Sequence, residues 1–89
     1  MFSLKWSPEA WGEYINLQEH DKSTVKKANV LLKDIQRNGY NTSLGKLEML
    51  KHDFSGFASI RIDKKNRIIF TVQSDTVVVI QCGGYYTDK

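Results

Sequence analysis

The stretch that decides the fold reads Arg61-Ile-Asp-Lys-Lys-Asn-Arg67-Ile-Ile-Phe-Thr-Val72. On each side of its Lys-Lys-Asn centre, apolar residues recur at every second position, which is the period of a β-strand. We therefore predict a hairpin of two strands, residues 57–63 and 67–73. A three-residue loop joins them, in which Asn66 takes the left-handed conformation.

The predicted register gathers charged side chains on one face of this hairpin. It places Asp63 opposite Arg67, with Arg61 next along the same surface. It also keeps the apolar side chains of both strands together, which a two-residue loop would not do. The hairpin therefore has one core face and one face that carries two arginines.

A third strand is predicted over residues 76–83, after a turn at Ser74-Asp75. This turn pairs Phe70 with Val79, so the core face stays apolar. The alternation of the three strands thus predicts a continuous antiparallel sheet.

The end of the third strand is expected near the two arginines. There Arg67 pairs with Cys82, and Gly83-Gly84 frees the backbone to turn. We expect Tyr85 and Tyr86 to lie beside the arginines at this end of the sheet.

Two helices precede the hairpin. Ser7-Pro8-Glu9 is typical of a helix start, and the first helix is predicted to end near His20. The second begins near residues 21–23 and ends at Asn38-Gly39. Its basic face is either a solvated surface or a surface that tracks a nucleic-acid backbone. The basic residues are Lys22, Lys26, Lys33 and Arg37.

The remaining segments complete the predicted fold. Residues 2–6 alternate as a further strand, whereas residues 39–56 show no clear period and include three glycines. We predict a long loop there, of the kind that is more often functional than decorative. The fold class that follows is α+β: two N-terminal helices packed on a small, twisted, mainly antiparallel four-stranded sheet, in one domain over residues 1–89.

Composition limits the classes of function. The 89 residues carry a net charge of +3 and a pI near 9.1, which favours an acidic partner such as RNA. Cys82 is the only cysteine, and His20 and His52 are too few and too far apart for a metal site. Apolar runs are too short for a membrane span or a signal peptide. We therefore expect a cytoplasmic protein without metal or cofactor.

Two arginines on one sheet face, with tyrosines nearby, suit the cleavage of RNA without a metal. The reaction needs a base for the 2′-hydroxyl, cations for the charge on the phosphorane, and an acid for the departing 5′-oxygen. Arg61 and Arg67 suit the second role because a guanidinium can hold two phosphate oxygens at once. Glu48, flanked by two lysines, is the candidate base. The candidate acids are Tyr85 or Tyr86, and then His52.

Each of these residues also has a structural explanation. Glu48 can be a solvated acid paired with a nearby lysine, and the two arginines can form cross-strand ion pairs with Asp63. The tyrosines can pack at a strand end, and His52 can be a hydrogen-bonding loop residue. Taken alone, the residues leave three classes open: an RNA-cleaving enzyme, a binding module and a structural domain.

Four segments of the chain carry a resemblance to a known family. They are Leu4-Lys-Trp-Ser-Pro-Glu-Ala-Trp-Gly-Glu-Tyr14, Asp21-Lys-Ser-Thr-Val-Lys-Lys27, Gly45-Lys-Leu-Glu-Met-Leu-Lys-His-Asp-Phe-Ser-Gly56 and Ser59-Ile-Arg-Ile-Asp-Lys-Lys-Asn-Arg-Ile-Ile-Phe70. These segments resemble the YoeB/Txe toxins, within the RelE superfamily of bacterial toxin–antitoxin systems. The resemblance covers nearly the whole chain, and the third segment is its most specific part.

The resemblance implies a small α+β domain whose relatives enter the ribosomal A site and cut the bound mRNA. It also implies a YefM-like antitoxin that wraps the toxin and blocks it, and the family's frequent pairing into a homodimer. By resemblance, Glu48 matches the general base, Arg67 the phosphate-stabilising arginine, and Tyr86 the aromatic residue at the C-terminal end. The positions that match the family's RNA-binding surface are Arg61, Lys51 and His52.

One departure bears on the chemistry. The family has a His-Tyr pair, with histidine as general acid, where this chain has Tyr85-Tyr86. Histidine titrates near neutrality, whereas an unperturbed tyrosine has a pKa of about 10, which neighbouring arginines can lower. Three explanations stay open: a toxin adapted to tyrosine, a weakened toxin, and an inactivating substitution kept because the active toxin kills its host. The leading function is a ribosome-dependent mRNA endoribonuclease; the alternative is a non-cleaving module that binds the ribosome or the antitoxin.

Overall fold

The computed structural model describes residues 1–84, which form two α-helices and five strands. The first strand, β1, spans Ser3–Trp6 and is followed by the helices α1, Pro8–His20, and α2, Lys22–Asn38. The remaining strands are β2, Leu47–Met49; β3, Ala58–Arg61; β4, Arg67–Gln73; and β5, Thr76–Cys82. The predicted α+β class and both predicted helices are confirmed.

Local sequence explains where the helices begin and end. The Ser7 hydroxyl accepts a hydrogen bond from the Ala10 amide at 3.1 Å, as an N-cap residue does. The Asp21 carboxylate caps α2 in the same way, accepting from the Thr24 amide at 3.2 Å. Gly39 follows the last residue of α2 with a φ of 60°, a conformation that suits glycine. The caps therefore lie where the sequence predicted them.

Within residues 1–84 the strands form one sheet in the order β1-β5-β4-β3-β2, and β1 with β5 is its parallel pair. Both helices pack on one face of this sheet, and the core lies between them and it. The core joins Ala10, Leu17, Val25, Ala28, Leu31, Leu32 and Ile35 of the helices to Ala58, Ile60, Ile62, Ile68, Phe70, Val77, Val79 and Cys82. Because side chains alternate along a strand, Ser59, Arg61 and Arg67 lie on the opposite face.

The hairpin register differs from the prediction by two residues. Arg61 lies opposite Arg67, so the connection comprises residues 62–66 rather than three residues. The predicted pairing of Asp63 with Arg67 is therefore wrong, and so is the left-handed conformation of Asn66, whose φ is not positive. A shift of two residues preserves both faces, since the side-chain period of a strand is two.

The Asp63 carboxylate explains the longer connection. Its Oδ1 accepts hydrogen bonds from the Lys65 and Asn66 amides, both at 2.8 Å, and from Asn66 Nδ2 at 3.1 Å. Burial acts to raise the pKa of Asp63, but these bonds and one from Thr24 outweigh it and hold the pKa below its usual 3.8. The carboxylate is therefore used inside the turn, and within residues 1–84 it forms no ion pair with the arginines.

The pairing of β4 with β5 is confirmed at one end and differs at the other. Phe70 lies opposite Val79 as predicted, whereas Cys82 lies opposite Ile68 rather than Arg67. A β-bulge next to Phe70 shifts the register by one residue, which reverses the side chains beyond it. Cys82 therefore points into the core, where it is fully buried.

The segment predicted as a long loop, residues 39–56, contains a fifth strand, so the expectation of four strands is wrong. In this strand, β2, Glu48 lies opposite Ser59 of β3 in an antiparallel pair. Short 3-10 turns, Gly39–Asn41 and His52–Phe54, lie on either side of it. A strand of three residues is too short for its alternation to be recognised in the sequence.

The helices of residues 1–84 do not reach the length and apolarity that a membrane span requires. The side chains that form the predicted basic face of α2 are exposed. They are Lys22, Lys26, Lys33 and Arg37.

Candidate active site

The candidate site lies on the face of the sheet away from the helices. Glu48 is on β2, Ser59 and Arg61 are on β3, and Arg67 begins β4. The register places Glu48 directly opposite Ser59, and Arg61 directly opposite Arg67. Directly opposed side chains of antiparallel strands have Cβ atoms about 5 Å apart. Three strands therefore bring together an acid and two arginines that are far apart in the sequence.

Glu48 and Arg67 form an ion pair. Arg67 Nη1 lies 3.2 Å from Glu48 Oε1, and this is the one ion pair within residues 1–84. The Glu48 side chain is 59% exposed and that of Arg67 is 22% exposed. Because an exposed pair contributes only about 0–1 kcal/mol to stability, this one does not hold the fold together. The partner of Glu48 is thus an arginine of the candidate site and not a neighbouring lysine.

Ser59 is a member of this cluster that the sequence analysis did not single out. It is fully buried, and its Oγ accepts a hydrogen bond from Arg67 Nη1 at 2.8 Å. Nη1 carries two hydrogens, so it can donate to Ser59 and to Glu48 together. The one available signal was the place of Ser59 on the same strand face as Arg61. Serine is common on such faces, so the signal was too weak to use.

A pocket of about 190 Å³ opens beside the ion pair. It is lined by Lys46, Glu48 and Arg61. Arg61 is exposed and forms no ion pair within the described part of the chain. Its charge and that of Lys46 are therefore available to an anion, and a planar guanidinium suits a phosphodiester.

Lys51 and His52 lie just after β2 and are both exposed. His52 has a φ of 59°, which is uncommon for a residue other than glycine. The structure places both residues on the segment that follows Glu48. Within residues 1–84, neither side chain forms a hydrogen bond or ion pair with Glu48 or the arginines.

The segment that carries Lys51 and His52 is anchored at its far end. The Gly56 carbonyl accepts hydrogen bonds from the Tyr40 hydroxyl at 2.8 Å and the Thr71 hydroxyl at 2.9 Å. The Tyr40 oxygen in turn accepts from the Val72 amide at 2.9 Å. A chain of hydrogen bonds therefore ties this segment to β4.

Tyr85 and Tyr86, predicted as the acid and the C-terminal aromatic residue, lie outside the described residues. The backbone that leads to them is bonded to Arg67. The Arg67 amide donates to the Gly84 carbonyl at 3.1 Å, and the Gly83 amide donates to the Arg67 carbonyl at 2.8 Å. The chain is thus held beside Arg67 up to the residue before Tyr85.

A larger pocket, of about 480 Å³, lies between α1 and the end of β5 and does not include the acid–arginine cluster. Its lining contains Glu13, Leu17 and Cys82. Burial, together with the charge of Glu13, raises the pKa of the Cys82 thiol to about 12. Since only a thiolate is a good nucleophile, Cys82 brings no reactive group to this pocket.

Comparison with solved structures gives the class of the protein. The chain matches the YoeB dimer of Staphylococcus aureus with a TM-score of 0.85 and 38% identity, covering 96% of this chain and 98% of that one. A heterotetrameric YoeB–YefM toxin–antitoxin complex from the same organism also matches with a TM-score of 0.85, at 37% identity and with 97% and 99% covered. The fold is therefore that of the RelE-like toxins.

Sequence comparison narrows this class to one family. The family model for the YoeB-like toxin of bacterial type II toxin-antitoxin systems matches residues 6–86. Toxin YoeB of Escherichia coli (strain K12) is 42% identical over 83 residues, which cover 93% of this chain and 98% of that toxin. The chain belongs to the YoeB-like toxin family, and the resemblance drawn from its four segments is confirmed.

Proposed function

We propose that this protein is a metal-independent endoribonuclease that cuts mRNA in the ribosomal A site and thereby inhibits translation. The observation that carries the proposal is the cluster on the sheet. Glu48 Oε1 lies 3.2 Å from Arg67 Nη1, and Arg61 lies directly across the strands from Arg67. A base beside two guanidinium groups meets two of the three needs of acid–base cleavage of a phosphodiester.

In the proposed reaction, Glu48 accepts the proton of the 2′-hydroxyl of the substrate. The 2′-oxygen attacks the adjacent phosphorus, and the bond from phosphorus to the 5′-oxygen breaks. Arg67 and Arg61 balance the negative charge on the phosphoryl oxygens. Tyr85 donates its proton to the departing 5′-oxygen. The products are a 5′-hydroxyl end and a 2′,3′-cyclic phosphate, which water can open to a 3′-phosphate.

We propose that Tyr85 is the general acid, which is the third group that the reaction needs. Tyr86, the next residue in the chain, is proposed as the second tyrosine of the site. An unperturbed tyrosine has a pKa of about 10, and nearby guanidinium groups stabilise its phenolate form. We further propose that Lys51 and His52 contact the RNA strand. Both are exposed on the segment next to Glu48, where a lysine can pair with a phosphate and a histidine can form a hydrogen bond with the RNA.

The proposed partners follow from the family and the charge. A net charge of +3 favours binding to the ribosome and its mRNA, since phosphates attract basic surfaces. The related Staphylococcus aureus structures are a YoeB dimer and a YoeB–YefM complex. We extend both assemblies to this chain, as a homodimer and as a complex with a YefM-like antitoxin, and place it in the cytoplasm with the ribosome.

Cleavage on programmed ribosomes tests this function. Ribosomes with a defined codon in the A site are incubated with the full chain, and cut mRNA is detected by primer extension. We expect Glu48→Gln to lower the cleavage rate by about 10²–10⁴, the usual contribution of a general base. Glu19→Gln is the matched control, because Glu19 is an exposed acid on α1, and it should cleave at the unchanged rate.

The substitution Tyr85→His then separates the function from its alternative. A histidine titrates near neutrality, so it should raise the rate if tyrosine is a weaker acid at this position. Salt-sensitive ribosome binding without any cut product, in both the original chain and the histidine variant, would instead support a non-cleaving binding module. Absence of ribosome binding would contradict both the nuclease and the ribosome-binding module, and would leave only a module that binds the antitoxin.

A further inference from the structure

The geometry of the site gives Ser59 a role that rests on the proposed function. Ser59 lies in the middle of the site: β2 places Glu48 directly opposite it, and the Arg67 side chain reaches it from β4. It is fully buried, whereas the side chains of Glu48 and Arg67 are 59% and 22% exposed. Ser59 is therefore the buried member of a cluster whose other two side chains are partly exposed to solvent.

The two hydrogen bonds that Arg67 Nη1 donates differ in length and in the exposure of their acceptors. The bond to Ser59 Oγ is 2.8 Å long and ends on a fully buried residue, whereas that to Glu48 Oε1 is 3.2 Å long and ends on an exposed carboxylate. In the proposed reaction Glu48 takes up a proton and loses its charge, so its attraction for the guanidinium weakens at the moment of bond breaking. The serine bond does not depend on that proton.

A neutral anchor also preserves the charge of the arginine. A buried carboxylate in place of the hydroxyl would hold the guanidinium but cancel much of its attraction for phosphate. Within residues 1–84 the side-chain hydrogen bonds of Arg67 both use Nη1. Among the described residues nothing uses the Nη2 and Nε donors, and two parallel donors of one guanidinium can bind a phosphate.

We propose that Ser59 is a positioning residue, which anchors the Arg67 guanidinium through Nη1 and presents its remaining donors to the scissile phosphate. Ser59 itself does not touch the reacting atoms. Removing its hydroxyl should slow bond breaking without weakening the binding of the ribosome. Loss of one hydrogen bond to a charged group corresponds to a rate decrease of about 10- to 100-fold.

Single-turnover cleavage on programmed ribosomes tests the anchor. Ser59→Ala should lower the maximal rate about 10- to 100-fold, with the half-saturating toxin concentration within about twofold. In an Arg67→Ala background the same change should have almost no effect, since its target is gone. Tyr14→Phe, which removes a hydroxyl that donates to Asn29 of α2 on the other face of the sheet, is the control and should leave the rate unchanged. An equal loss in both backgrounds, or none in either, would overturn the proposal.

A second measurement keeps this proposal separate from the proposed function. Nitrogen-15 NMR of the arginine side chains reports how fast the Arg67 guanidinium rotates, without any need for cleavage. Rotation should be slow in the original chain and at least severalfold faster in Ser59→Ala. This result would support anchoring even if ribosome assays found no cleavage. Unchanged rotation would refute anchoring whatever the cleavage result. If the alanine variant does not fold, Ser59→Cys replaces it, because cysteine is similar in size to serine but accepts hydrogen bonds only weakly.

Discussion

Replacing Tyr40 with phenylalanine should destabilise the protein, because one hydroxyl serves three neighbours. The Tyr40 oxygen lies 2.8 Å from the Gly56 carbonyl, 3.1 Å from Thr71 Oγ1 and 2.9 Å from the Val72 amide. Strand β3 begins opposite Phe70, so no β3 residue pairs with Val72. The hydroxyl therefore takes the place of a missing strand partner.

The magnitude follows from which groups lose a partner. In Tyr40→Phe the Val72 amide is left without an acceptor, whereas the Gly56 carbonyl keeps its bond from Thr71 at 2.9 Å. Leaving one partly buried donor unpaired costs about 1–3 kcal/mol. For a domain of this size, 1 kcal/mol corresponds to a Tm shift of roughly 4–8 °C. The phenylalanine ring keeps the stacking on Phe70, whose centroid lies 5.8 Å away.

The double variant of Tyr40→Phe and Thr71→Val tests the Gly56 carbonyl that both hydroxyls share. Thr71→Val alone leaves the Gly56 carbonyl bonded to Tyr40, so each single change spares this carbonyl. With both hydroxyls removed the carbonyl has neither donor, and the loss should exceed the sum of the single losses by about 0.5–2 kcal/mol.

Urea unfolding monitored by tryptophan fluorescence measures these free energies. Tyr14→Phe is the matched control: its hydroxyl donates to Asn29 at 2.7 Å on the exposed surface. Its loss should cost no more than about 0.5 kcal/mol. If Tyr40→Phe costs as little as the control, or if the double variant is additive within about 0.3 kcal/mol, the account of this network is wrong.

Two further predictions concern titrating groups. Burial raises the pKa of Cys82 to about 12, so a thiol reagent at pH 8 should label the folded protein only as fast as it unfolds; rapid labelling would contradict the buried position. The hydrogen bonds of Asp63 hold its pKa below the usual 3.8, so its stabilising contribution is present above about pH 4 and is lost as the pH falls through the lowered value. Between pH 5 and 2, the unfolding free energy of Asp63→Asn should therefore fall less than that of the original chain, by about the contribution of one carboxyl group. Urea titrations at the two pH values measure this difference, and an equal fall in both proteins would refute the role of Asp63.

Much of this protein follows from local sequence alone. Ser7 and Asp21 cap the two helices because their side chains accept hydrogen bonds from amides only three residues away. The alternation of residues 67–73 predicts a strand and its core face, because the period of two is a local property of extended backbone. Residue type and the predicted strand faces made Glu48 and Arg67 candidates, and the four quoted segments were enough to predict the family.

What the sequence did not determine depends on contacts between distant residues. Strand β2 has three residues, and it becomes a strand only because β3 offers it a pairing edge. The hairpin register is set by the Asp63 carboxylate, which accepts hydrogen bonds from the turn amides. The sequence alone does not show whether these bonds or a left-handed Asn66 will determine the length of the turn. The contact of Ser59 with Arg67 has the same origin: it depends on the register of β3 against β4, which the local sequence of either strand does not fix.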